Sequence, residues 1–139
     1  MGAFIRVGVQ AIILSESKIL LGLRGKKAFK PGTWGLPGGH VELDEGLREA
    51  VARELKEETG IVAKKMQLAC VTDPRRDTNH HMQVGFLVSE HSGEPKVIEP
   101  DYCDAWEFMP LDDLPANLFI GSVDVIRSVR DEVSYLKND

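Results

Sequence analysis

An α/β fold with a mixed β-sheet sandwiched between helices, an α/β/α sandwich, is the architecture this sequence predicts. Three observations point to it. Two short alternating stretches, 4–14 and 18–24, flank a polar Ser15-Glu16-Ser17 turn. A proline-free stretch with helical spacing follows at 45–59 and stops at Gly60. Three further strand-like stretches, at 66–73, 81–88 and 103–109, then lead into a second helical pattern over 122–136. With 139 residues the chain is read as one domain, 1–139, long enough to bury a core. No internal repeat or linker divides it.

The first stretch places Ile5, Val7, Val9, Ala11 and Ile13 on one face, and with 18–24 it reads as a hairpin. The loop over 25–33 holds Lys26, Lys27 and Lys30 with Gly25, Pro31 and Gly32, a basic surface segment suited equally to solvent and to phosphate. Trp34-Gly35-Leu36-Pro37 is a short strand and turn entering Gly38-Gly39, where missing side chains let the backbone approach a ligand.

The helix over 45–59 has Asp44 as its expected N-cap and Gly60 as its left-handed C-cap residue. At about 100° per residue, Ala50, Val51 and Leu55 form an apolar stripe with Leu47, and Glu54 and Glu58 fall within about 20° of Leu47. Glu57 lies beside the stripe, while Arg48, Glu49, Ala52 and Lys56 take the opposite side. Acids therefore stand where core residues belong. Two carboxylates about 5 Å apart at an effective dielectric near 20 repel by about 3 kcal/mol, so a cation is needed to offset them. Hard oxygen donors beside a backbone carbonyl suit Mg²⁺ or Mn²⁺.

Gly39, Glu45 and the run Arg53-Glu54-Leu55-Lys56-Glu57-Glu58-Thr59-Gly60-Ile61 match the Nudix box at all nine of its defining positions over 23 residues. On this motif, 39–61, the chain resembles the Nudix hydrolases. The resemblance implies an α/β/α fold and divalent-metal-dependent hydrolysis of a phosphoanhydride. It makes Glu54 and Glu58 the principal metal ligands, with Glu57 a further ligand, direct or through water, and the Gly38 carbonyl another. Glu54 or Glu57 would orient or deprotonate the attacking water. Arg53, grouped with the catalytic residues, and Glu45 would hold the glutamates and loop in place.

The segments 36–42 and 94–107 extend the likeness to the MutT-related branch over about residues 7–125, implying a nucleoside triphosphate diphosphatase that releases a nucleoside monophosphate and pyrophosphate. Oxidised or otherwise modified deoxynucleotides are expected substrates, and dimerisation is expected from the same branch. Gly35 and 117–121 depart from that branch's base-contacting positions, so base preference stays open. Arg24, Trp34, Leu36, Gly39 and Phe119 are expected to contact substrate, and Glu99 is a further acid near the metals or a solvated one. The alternatives are a hydrolase of ADP-ribose or a dinucleotide polyphosphate, and a non-catalytic ligand-sensing module of the same family.

The later stretches complete the layers. Met82, Val84, Phe86 and Val88 share a face, 74–80 and 91–102 read as loops, and Trp106 and Phe108 mark a strand. Leu111 to Leu114 form a turn before Pro115, and Ile126, Val129, Val133 and Leu136 give the last helix its apolar face under a Ser122 cap. His80 and His81, adjacent on a strand, point to opposite faces and cannot chelate together.

Composition is that of an ordinary soluble protein, at 42% hydrophobic and 28% charged. The net charge of -5 argues against a chain that grips a nucleic-acid polymer by its own basic surface. Residues 38–61 carry seven acids and three bases, so an anionic substrate needs a metal to approach them. Cys70 and Cys103 have no CxxC partner and are expected to be buried thiols. No membrane span or signal peptide is read, and a cytoplasmic location is expected.

Overall fold

The computed structural model describes residues 5–76 and 79–138, with side chains outside 74–79 and 135–138. Its elements run β1 (Ile5–Ile12), β2 (Leu14–Ser15), β3 (Lys18–Arg24), β4 (Trp34–Gly35), β5 (Gly38–His40), α1 (Leu47–Thr59), β6 (Val62–Arg76), β7 (Asn79–Ser92), β8 (Cys103–Pro110), α2 (Ile120–Asp131) and β9 (Tyr135–Asn138). One sheet has the order β5-β1-β7-β6-β9, with β1 antiparallel to β5 and parallel to β7. The second is centred on β3, which pairs with β8 along one edge and with β2 and β4 along the other.

Strand β1 is buried on both faces over its second half, where a helix covers each. Val9, Ala11 and Ile13 pack with Ala50, Val51 and Leu55 of α1. Ile12 faces the other way, into a second cluster with Val125 and Ile126 of α2. Mixed sheets between two helices are the layers expected.

Several local expectations need correction. The hairpin forms only at its turn end: Leu14 and Ser15 pair with Ile19 and Lys18, whereas Ile5 to Ile12 pair with β5 and β7. Alternation identifies a strand but not its partner, and the parallel partner here is remote in sequence. The helix cap is Gly46, not Asp44. Gly46 is extended (φ -76°, ψ 162°) and its N–H donates to the Glu49 carboxylate at 3.0 Å, while Asp44 occupies a left-handed turn position at φ 62°. Gly60 ends α1 in the left-handed conformation (φ 81°), as expected.

The loop expected at 74–80 is mostly strand, with Arg75 paired to His80 and Arg76 to Asn79; Asp77 and Thr78 lie outside the described residues. Strand β7 likewise continues to Ser92, which shortens the following polar loop to 93–102. The second helix begins at Ile120 with Phe119 at its cap position and ends at Asp131, where Glu132 turns left-handed. Leu136 therefore belongs to β9, parallel to β6, rather than to a helix. Ser122 lies in the first turn of α2, buried, and its hydroxyl serves other elements. Cys70 and Cys103 are free and buried. Among the described residues, no helix is long and apolar enough to cross a membrane.

Candidate active site

Strand β5 is the edge where the acids of α1 meet the sheet. The Ala11 N–H donates to the Pro37 carbonyl at 2.8 Å and the Val41 N–H to the Val7 carbonyl at 3.1 Å. By the alternation of an antiparallel ladder, Gly38 between them turns its own N–H and C=O away from β1. That N–H donates to Glu58 at 3.3 Å. A Cβ on Gly38 would lie 2.2 Å from the Val9 carbonyl oxygen, and one on Gly39 would lie 2.5 Å from the Glu54 carboxylate. Glycine at 38 lets β5 close on β1, and glycine at 39 leaves the Glu54 carboxylate its place.

Arg53 organises the acids around it. Its Nε and a terminal nitrogen bind both oxygens of Glu45 at 2.6 and 2.9 Å, a bidentate pair. The same guanidinium donates to Glu54 at 2.9 Å, to Glu57 at 3.4 Å and to the His40 carbonyl at 3.2 Å. The Arg53 hydrogen bonds hold the Glu45 carboxyl down to about 2, and Glu45 in turn raises Arg53. Glu45 and Arg53 thus sit where a supporting pair is expected.

Glu54 and Glu58 face each other across one helical turn. Burial above all, then the hydrogen bond and charge of Glu54, push the Glu58 carboxyl well above the usual range, against the pull of the Gly38 N–H. A cation placed between the two carboxylates would relieve that push. Glu57 is the more open acid, its side chain 52% exposed and turned to Arg53, against 16% for Glu54. A helix position about 100° from the stripe centre lies at its solvent edge. Among the described residues, no three His, Cys, Asp or Glu side chains converge as a ready metal cage.

A cleft of about 360 Å³ opens from this edge across the α2 face of the first sheet. Of the expected contact residues, Arg24, Leu36, Gly39 and Phe119 line it. Trp34 does not; it packs in the second core cluster beside α2. Arg24 is held in place: its guanidinium stacks 3.9 Å from the Phe119 ring centre and its Nε donates to the Phe29 carbonyl at 2.6 Å. Burial lowers its pKa and Glu58 counters the shift. Glu99 is exposed on the 93–102 loop, its carbonyl accepts the Tyr102 and Cys103 N–H groups, and its charge adds to the upward push on Glu58.

The histidines separate as their strand positions demand. His81 lines the cleft, 5.8 Å from His40 ring to ring, while His80 bonds Asp73. Sequence reasoning missed Phe29, Gln10, Gln83 and Ser122, which also line the cleft. Gln10 carried a signal, being an amide set between the apolar Val9 and Ala11.

With this geometry in view, the likenesses to known proteins are informative. The NUDIX domain family matches residues 5–129. The ADP-ribose pyrophosphatase of Methanocaldococcus jannaschii is 41% identical over 115 residues, covering 81% of this chain and 66% of that protein. The CTP pyrophosphohydrolase of Escherichia coli is 49% identical over 55 residues, 40% of this chain and 41% of its own length. The chain thus spans less than two thirds of these curated relatives. The crystal structure of a MutT NUDIX hydrolase from Burkholderia pseudomallei superposes with a TM-score of 0.83 at 40% identity, covering 91% of this chain and 98% of that one. A family match over 125 residues, with MutT structural neighbours and a complete acidic motif in place, means that this chain belongs to the NUDIX domain family, among its MutT-related members.

Proposed function

We propose that the protein is a divalent-metal-dependent hydrolase that cleaves a nucleoside triphosphate to a nucleoside monophosphate and pyrophosphate, with oxidised or modified deoxynucleotides among its substrates. One observation carries the reading: Glu54 and Glu58 stand one helical turn apart, with Glu58 accepting the Gly38 N–H at 3.3 Å, at the end of a nucleotide-sized cleft. Two close carboxylates and a backbone oxygen are a hard, all-oxygen donor set. They suit Mg²⁺, which binds through one or two carboxylates and completes its shell with water and substrate phosphate rather than with a protein cage. Glu54, Glu58 and the Gly38 carbonyl would hold the ion, and Glu57 would join them directly or through water. Mg²⁺ or Mn²⁺ held there would supply positive charge to offset that of the phosphates and favour loss of a proton from the attacking water.

The chain's own groups do the rest. Glu54 or Glu57 takes the proton of the attacking water, and Arg53 keeps both carboxylates oriented through its grip on Glu45. Phe119 and Leu36 wall the cleft against the base. No covalent nucleophile is needed.

Incubating the protein with a nucleotide panel and Mg²⁺ while separating pyrophosphate from orthophosphate tests this. Monophosphate and pyrophosphate in equal amounts, abolished by EDTA, are expected. Release of orthophosphate alone, or turnover indifferent to EDTA, would overturn the reading. The name of the archaeal relative favours a second reading, a nucleoside diphosphate linked to another group such as ADP-ribose. AMP released from ADP-ribose in the same panel distinguishes it. The complete set of box acids counts against a non-catalytic module.

A further inference from the structure

The floor of the cleft is a chain of amides whose polarity is fixed from one end. The Gly121 carbonyl can only accept, and Gln10 Nε2 donates to it at 2.7 Å. Ser122 Oγ receives the Leu36 N–H at 3.0 Å, so its own hydrogen goes to Gln10 Oε1 at 2.8 Å. The second hydrogen of Gln10 Nε2 goes to Gln83 Oε1 at 2.9 Å. Every position of Gln10 is thereby committed, and neither Gln10 nor Gln83 can flip without facing donor to donor or oxygen to oxygen.

Gln83 is left with two N–H groups facing the cleft it lines. Among the described residues no acceptor takes them; Thr72, its neighbour across β6, has a buried hydroxyl without a partner. Gly8 keeps the place open, since a Cβ there would lie 2.6 Å from Gln83 Oε1. In the order β5-β1-β7, Gln83 stands two strands from the acidic edge, roughly 10 Å at ~4.8 Å per strand. A nucleotide with its phosphates at that edge brings the side of the base remote from ribose to Gln83.

We propose that Gln83, locked by Gln10, Ser122 and the Gly121 carbonyl, is the specificity-determining residue for the base, selecting a carbonyl on the edge remote from ribose (guanine, uracil, thymine) over an amino group (adenine, cytosine). This rests on the nucleotide reading of the cleft. Two fixed donors meet a carbonyl with a hydrogen bond and an amino group with none, and an unmet pair of buried polar groups costs more than the bond itself contributes.

Binding of GMP, AMP, UMP and CMP to the whole protein by titration calorimetry tests the proposal without relying on turnover. Wild type should bind GMP over AMP, and UMP over CMP, by about tenfold each. Gln83→Glu keeps the bond from Gln10 and presents an acceptor instead, so both ratios should invert even as its charge weakens all four ligands. Gln83→Met, of similar volume, should bring both ratios close to one, with the melting temperature of each variant reporting that it is folded. Monophosphates that bind with no such preference, or ratios unchanged in Gln83→Glu, would overturn this proposal alone. Failure of all four monophosphates and of the triphosphate panel would overturn the nucleotide reading with it.

Discussion

At Glu58 a single carboxyl couples stability to acidity. Its folded-state value lies well above the 4.5 of an exposed glutamate, so folding favours the protonated form. That contribution is complete below 4.5 and is lost as pH rises through the folded value. In EDTA, the melting temperature should therefore fall on raising the pH through that range, and Glu58→Gln should remove this part of the slope. Glu45 has the opposite sign: depressed to about 2, it supports folding above 4.5 and ceases to do so as pH falls through about 2. Glu58→Gln should also cut turnover by at least about 10²-fold with the fold retained, measured as pyrophosphate release. Gly39→Ala is a finer probe. Its Cβ would displace the Glu54 carboxylate, the far end of a flexible side chain, so the protein should fold while kcat drops about 10²-fold from misplacement of order 1 Å.

Among the elements, α1 was the most legible and α2 the least. The left-handed Gly60 cap and the Ala50, Val51, Leu55 stripe of α1 follow from local chemistry alone, and both stand in the structure. Asp44 misled because a capping side chain is a common device, whereas here Glu49 reaches back to an unadorned Gly46. Ser122 misled more deeply. Its hydroxyl joins α2 to β1 through Gln10 and to the turn after β4 through the Leu36 N–H. No local pattern reveals partners 86 and 112 residues away. Ser122→Ala should leave both groups buried without a partner and cost about 1–3 kcal/mol, read from urea unfolding.

Over the whole molecule, the layers were legible and the strand order was not. Periodicity marks 4–14 and 81–88 as strands with apolar faces; it does not show that they lie side by side and parallel, because that pairing joins residues about 75 positions apart. The candidate site divides in the same way. Its acids and glycines occupy one short motif, while the cleft beside them is assembled from β1, β3, β5, β7 and the start of α2. Mg²⁺ should raise the melting temperature of the wild type and barely move that of Glu58→Gln, since binding only to the folded state stabilises it by mass action. A flat titration of the wild type would count against a metal at these carboxylates.

The acidic edge, where α1 packs on β5, and the amides of Gln10 and Gln83 on β1 and β7 are tied together by one hydrogen-bonded sheet. Their separation is consequently a yardstick of set length. A cargo anchored at one end offers whichever linkage happens to reach the other, so lengthening or shortening its tail shifts the scissile position along the cargo rather than along the protein.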